Sequence, residues 1–171
     1  TLKSGHNQEC KFNGIVLSPA WCKVKAMLRV HRFLPRAMAF LYIDSDAVIT
    51  TQFDHSFTDV LSYIRKDLHW NTTQMPIAFN QDGPGWACNN VVDSTGYDFC
   101  LNSGTVYWRR SFISQKVLSD WWKMSADPYS AHRFSQQWRS VWPWEQAPQH
   151  KVYDQYRHFI MRLSFPELAH L

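Results

Sequence analysis

The stretch FLYIDSDAVIT, residues 40–50, constrains this chain more than any other. Residues 38–43 form a continuous apolar run, the pattern of a strand buried on both faces, as in a parallel sheet. Asp44 and Asp46 follow at once. Two carboxylates gathered at the end of a buried strand are costly unless something offsets their charge. Three explanations qualify: a metal ion, a phosphorylated intermediate, or an ordinary turn.

The flanking pattern is that of an α/β layer architecture. Residues 14–18 read as a short apolar strand ended by Pro19. Trp21, Val24, Met27, Leu28 and Val30 recur at helical spacing, which predicts a helix over 21–33 stopped by Pro35. After the aspartates, Ser56 caps a helix to about residue 64, with Asp59 in capping-box position. Residues 75–80 read as a strand, and 81–98, rich in Gly, Asn and Asp, as a long loop of the kind that is usually functional. An apolar strand over 99–107 is interrupted by Asn102-Ser103-Gly104. A helix over 111–124 carries Phe112, Val117, Leu118, Trp121 and Trp122 on its apolar side. Residues 127–143 are irregular or a short helix, 145–156 helical, and 159–163 a last strand. No repeat or linker divides the chain, so 1–171 reads as one domain.

Composition narrows the function classes. With 45% hydrophobic and 19% charged residues, the chain is globular rather than disordered. No apolar run approaches the roughly 20 residues that cross a bilayer. The net charge of +4 suits an anionic ligand, but the basic residues are scattered. The nearest patch, Arg29, His31, Arg32 and Arg36, reads as a solvated helix face, and no nucleic-acid recognition motif accompanies it. The four cysteines, Cys10, Cys22, Cys88 and Cys100, form no CxxC pair, which argues against zinc. Cys88 and Cys100 flank the polar loop and could close it as a disulfide. Asn71-Thr72-Thr73 is a glycosylation sequon. Together these point to the lumen of the secretory pathway; four buried thiols in a cytoplasmic protein are the alternative. The chain opens on Thr1 rather than Met, as a piece of something longer would. Of nine tryptophans, most suit a core, while Trp142 and Trp144 beside Glu145 suit a sugar-binding wall.

The paired aspartates admit two chemistries. Asp-x-Asp at the C-terminal end of a strand directs hard oxygen ligands into the crevice where open α/β sheets bind ligands, which suits Mg²⁺ or Mn²⁺ shared with a diphosphate. Asp44-Ser45-Asp46-Ala47-Val48 also fits the string of haloacid-dehalogenase-like phosphatases, with Asp44 as nucleophile and Asp46 as general acid/base. That chemistry needs a further acidic pair, and neither Asp-Asp nor Gly-Asp-x-x-x-Asp follows residue 50. Three other features bear on the metal reading. The Asn102-Ser103-Gly104 interruption suits close approach of a ligand, or else a β-bulge. Glu145-Gln146 beside aromatic rings suits sugar hydroxyls, or else a plain helix start. Lys23 could meet a phosphate or a sugar hydroxyl, or else lie along the surface.

The order of these motifs resembles the GT-A glycosyltransferases, which use nucleotide sugars. The particular likeness is to the retaining glycogenin-like and Golgi α-galactosyl, α-xylosyl and mannosyl transferase families. It is carried by SPAWCKVKA, FLYIDSDAVIT, CLNSGTVYWRRS and WPWEQ, over residues 18–146. The resemblance implies a Rossmann-type mixed sheet flanked by helices, here without its first strand–helix unit. It implies Mn²⁺ (or Mg²⁺) held by Asp44, Asp46 and a late histidine, for which His170 is the candidate. Lys23, Asp44, Asn102, Ser103, Gly104 and Gln146 would bind the donor, a UDP- or GDP-sugar, and Glu145 is the catalytic candidate. The acceptor would be a hydroxyl of a glycan or protein, and the place the Golgi lumen. The family commonly has Asp at the position of Glu145, which alters the reach of that carboxylate. A non-catalytic carbohydrate-binding relative is a third reading.

Overall fold

The computed structural model describes residues 10–44, 70–82, 99–125 and 145–163. Their elements run in the order β1 (Cys10–Phe12), β2 (Ile15–Leu17), α1 (Trp21–Phe33), β3 (Ala39–Ile43), β4 (Ile77–Asp82), β5 (Cys100–Arg109), α2 (Phe112–Met124), α3 (Gln146–Tyr156), a 3₁₀ turn (Arg157–Phe159) and β6 (Ile160–Leu163). The helix expected over 56–64, Cys88, Asp46, Trp142, Trp144 and His170 lie outside the described residues, as does the loop expected over 81–98 apart from Gln81 and Asp82, which are the end of β4.

The strand expected at 14–18 is the second arm of an antiparallel hairpin, Cys10 facing Leu17 and Phe12 facing Ile15. Asn13 and Gly14 make its turn at φ +48° and +81°. Those left-handed values suit the primed turns of two-residue hairpins, and Asn-Gly is the pair that adopts them most readily.

β3 to β6 form one mixed sheet in the order β3-β5-β4-β6. β5 runs antiparallel to both its neighbours, while β4 and β6 are parallel. The coarse α/β expectation holds; the parallel environment expected for β3 does not. β3 lies at one end of the described sheet, only Phe40 in it is buried, and Met38 just before it is 65% exposed. The strands buried on both faces are β4 and β5. Ile77, Phe79, Val106 and Trp108 face one side and pack with Trp21, Val24 and Met27 of α1, Val117, Leu118 and Trp121 of α2, and Val152 and Tyr156 of α3. Ala78 and Tyr107 face the other side, against Trp70 and Leu163.

The helices follow their sequence signals closely. α1 buries Trp21, Val24 and Met27. It also buries His31, which corrects its placement in a solvated basic face: the ring lies against Phe40. Burial, with the Arg110 charge nearby, holds His31 below its usual pKa. Arg29, Arg32 and Arg36 are exposed. α2 is capped by Ser111, whose hydroxyl accepts from the Ser114 amide while Ser114 Oγ accepts from the Ser111 amide. Phe112 is 76% exposed and not on the apolar side, since the first residue after the cap points away from the sheet.

Candidate functional site

The end of β3, the N-terminal part of β5 and the start of α3 meet at one point, and a bulge in β5 makes the meeting possible. Phe79 pairs with Val106 but Asn80 pairs with Asn102, so one step along β4 spans four along β5. Ser103, Gly104 and Thr105 therefore have no counterpart on β4. On the other side they stay tied to β3: Thr105 faces Ile43, and the Asp44 amide donates to the Gly104 carbonyl at 2.7 Å. The Asn102-Ser103-Gly104 interruption is a bulge and also a platform, since β-bulges re-aim side chains.

Lys23, from the first turn of α1, is the hub. Its Nζ donates to Asp44 Oδ2 at 2.7 Å and to Ser103 Oγ at 3.1 Å, and lies 3.1 Å from Glu145 Oε1. An ammonium has three N–H donors, and two of them are committed to Asp44 and Ser103. Ser103 in turn donates to Glu145 Oε1 at 2.5 Å. Tyr42, two residues before Asp44 on β3, donates its hydroxyl to Asp44 Oδ1 at 2.6 Å and places its ring 5.8 Å from the Lys23 ammonium.

The charges do not balance. Two carboxylates and one ammonium leave a formal surplus of one negative charge. Glu145 is 2% exposed, and its Oε2 is buried with no hydrogen-bond partner. A buried carboxylate oxygen left bare is costly and waits for a donor or a cation. Beside the cluster lies a cavity of about 500 Å³, whose lining includes Pro19, Cys22, Lys23, Tyr42 and Asp44. That volume is within the roughly 300–1,000 Å³ of small-ligand sites. A second cavity of about 480 Å³, bounded by Thr73, Met75, Pro76, Ile113 and Phe159, sits at the other end of the strands, away from this cluster.

Gly104 is required by closeness. A Cβ there would stand 2.8 Å from Asn102 Oδ1 and 3.3 Å from Asp44 Oδ2. The Asn102 side chain is folded back onto the bulge, accepting from the Gly104 amide at 2.5 Å.

α3 holds this arrangement from behind. Glu145 precedes its first turn, and Trp121 Nε1 of α2 donates to the Glu145 carbonyl at 2.8 Å. One turn on, Gln149 Nε2 reaches the Asn102 carbonyl at 3.5 Å, and the Leu101 amide donates to His150 Nε2 at 2.8 Å. That bond needs His150 neutral at Nε2. Burial, helped by the Lys151 charge, pushes its pKa down to about 4.

The structure thus joins Lys23, Asp44, Ser103 and Glu145, with Asn102 and Gly104 forming the bulge beside them. Gln146 is half-buried in the first turn of α3. Tyr42, Gln149 and His150 have no place among the sequence candidates, and Trp121 is expected there only as a core residue. Signals existed: Tyr42 shares Asp44's face through the two-residue period of a strand, and Gln149 and His150 follow Glu145 and Gln146 by one helical turn. Among the described residues no three His, Cys, Asp or Glu side chains gather as a metal site.

Of the residues expected to hold a metal, Asp44 alone is described, and its carboxylate oxygens are hard donors of the kind a divalent cation takes. Asp44 supplies carboxylate oxygen at the rim of the cavity with its side chain 28% exposed, and the cluster around it has a surplus negative charge. No protein-family model, curated protein or solved structure matches the chain.

Proposed function

We propose that this chain is a glycosyltransferase domain of GT-A type, moving a sugar from a UDP- or GDP-sugar to an acceptor hydroxyl. One observation carries the reading. Lys23, Asp44, Ser103 and Glu145 lie as far as 122 positions apart in sequence, yet they form one bonded cluster beside a ligand-sized cavity. They come from all four stretches that resemble the transferases. A mixed sheet with the cluster at the end of its aspartate strand is compatible with that family's fold.

Mn²⁺ or Mg²⁺ would be held by Asp44 together with Asp46, with His170 as the further candidate. Bound there, such an ion would supply positive charge to offset that of a diphosphate leaving group. The chain's own residues do the rest. Tyr42 and Lys23 fix the Asp44 carboxylate in one orientation, so little freedom is lost when a ligand arrives. Lys23 can turn one N–H toward a phosphate or sugar oxygen. Ser103 and Lys23 hold one oxygen of Glu145, and its bare Oε2 would accept from a sugar hydroxyl. Asn102, Ser103, Gly104 and Gln146 would bind the donor sugar. The chain's location is the lumen of the secretory pathway, the Golgi in particular; the disulfide bond of Cys100 supports an oxidising compartment.

The test is calorimetric titration of the chain with UDP- and GDP-sugars, with and without Mn²⁺. Nucleotide-sugar binding that needs the metal and is lost in Asp46→Ala is the expected result. Release of phosphate from a generic phosphoester, abolished by Asp44→Asn, would replace the transferase by the phosphatase. Metal-independent binding of free sugar without nucleotide affinity would leave a carbohydrate-binding protein.

A further inference from the structure

The turn that leads into β4 takes no part in the cluster. It carries Asn71-Thr72-Thr73, the one Asn-x-Ser/Thr sequence in the chain. Burial alternates across it: Trp70 and Thr72 are buried, while Asn71 and Thr73 are exposed. Trp70 anchors the turn. Its ring packs edge-on against Tyr107 with centroids 4.6 Å apart, and its Nε1 donates to the Met75 carbonyl at 2.9 Å. Asn71 Oδ1 accepts from the Thr73 amide at 3.0 Å and from the Gln74 amide at 3.3 Å, and the Asn71 carbonyl accepts from the Gln74 and Met75 amides. These are the local bonds of an Asx turn, which needs only neighbouring residues to form. Both side-chain bonds engage Oδ1 and neither involves Nδ2, so Nδ2 can carry a substituent with both bonds intact.

We propose that Asn71 is an N-glycosylation site, which takes its glycan from a lipid-linked oligosaccharide diphosphate in the secretory lumen. The motif alone marks an acceptor; the structure adds that its asparagine and hydroxyl both stand on the surface, where the fold accommodates a bulky glycan. The inference rests on the luminal location proposed above, which the disulfide-bonded Cys100 supports, and not on the transferase chemistry. In the transfer, Nδ2 of Asn71 attacks the anomeric carbon of the first sugar. A C–N bond forms and the C–O bond to the diphosphate breaks. The lipid diphosphate leaves with the electron pair of that bond, and Nδ2 gives up one proton.

The fold sets both the timing and the consequence. In the folded chain Thr73 Oγ1 accepts from Arg109 Nη1 at 2.7 Å, so the motif's hydroxyl is tied to the last residue of β5. Before β5 docks that hydroxyl is untied, while the Asx turn can already form from its own residues. The modification therefore belongs to the chain before the sheet closes. The Arg109 amide also donates to the Pro76 carbonyl at 2.7 Å, and Arg109 faces Ala39 at the start of β3. The turn thus lies at the end of the sheet opposite Asp44, Asn80 and Asn102, and a glycan on it leaves the candidate ligand cavity open.

The test is mass spectrometry of the chain secreted from mammalian cells behind a secretory leader, before and after digestion with an amidase that releases Asn-linked glycans. A heavier chain that collapses to its sequence mass on digestion, with Asn71 converted to aspartate in the peptide map, is the expected result. Asn71→Gln and Thr73→Ala should each lose the whole mass shift, and Thr73→Ser should keep it. Cys100 is the internal control, since its protection from alkylation shows that the chain passed through an oxidising lumen. An unmodified Asn71 in secreted wild-type chain with Cys100 protected would overturn the proposal, as would a mass shift that survives Asn71→Gln. The wild-type digest decides by itself, so a variant that fails to fold does not. Nucleotide-sugar affinity should be the same before and after digestion. A glycosylated chain with no such affinity would count against the transferase and leave this inference standing.

Discussion

Lys23 sits between Asp44 and Glu145, and its removal would leave two carboxylates facing each other around a buried serine. Breaking a buried ion pair by deleting one partner costs about 3–5 kcal/mol. Lys23→Met should lose about that much in urea unfolding, although it is 11% exposed and adds apolar bulk. A loss below about 1 kcal/mol would mean that water already screens the cluster. Gly104→Ala asks a different question. Its Cβ must displace the Asn102 amide from the Gly104 N–H, so the bulge shifts while the core stays intact. The variant should fold with a loss of about 1–3 kcal/mol and bind nucleotide sugar at least tenfold more weakly by calorimetry. His150 sets the pH dependence. Its pKa is lowered on folding, so its stabilisation is complete above its unfolded value near 6.5 and is lost as pH falls toward about 4. His31 shifts in the same direction and steepens the loss. Unfolding free energy should fall by about 3 kcal/mol from His150 across that window, and His150→Gln, which keeps an acceptor for the Leu101 amide, should flatten the curve.

Elements with a complete local signal were legible in the sequence. The expected bounds of α1 and α2 agree with the structure to within a residue, because apolar spacing marks both and Pro35 stops the first. α3 was placed almost as well. What local pattern could not supply was the neighbour of each strand. Residues 38–43 are apolar enough for a parallel centre, but β3 pairs antiparallel at an end, and the doubly buried pair is β4 and β5. His31 was misjudged for the same reason: a polar residue at a core spacing reads as surface until Phe40 is known to lie beneath it. The Asn102-Ser103-Gly104 bulge was visible as an interruption, though its register shift was not. The cap of α2 offers a control for the site arguments. Ser111→Ala should cost about 1 kcal/mol in thermal or urea unfolding and leave ligand binding unchanged, since Ser111 lies at the far end of β5. A weakened affinity in that variant would mean that binding follows overall stability and not the geometry of the bulge.

Across the whole molecule, the sheet brings together residues that sequence could only set in order. Lys23, Asp44, Ser103 and Glu145 were each chosen from a separate stretch, and long-range packing turned the four into one bonded cluster. The supporting roles of Trp121, Gln149 and His150 are not legible in the sequence, because each looks like an ordinary core or helix residue until its partner, Glu145 or β5, is known. The central claim is that this cluster, with its surplus negative charge and bare Glu145 oxygen, binds a nucleotide sugar through a divalent ion. The most direct measurement is a thermal-shift titration of the chain with UDP- and GDP-sugars, each with Mn²⁺ and with chelator. A ligand at about 100 times its Kd stabilises by about 2.7 kcal/mol, so one of these donors should raise the melting midpoint by several degrees with Mn²⁺ and not with chelator. The shift should vanish in Asp44→Ala. No shift with any donor at millimolar concentration, in a chain that melts cooperatively, would contradict the account.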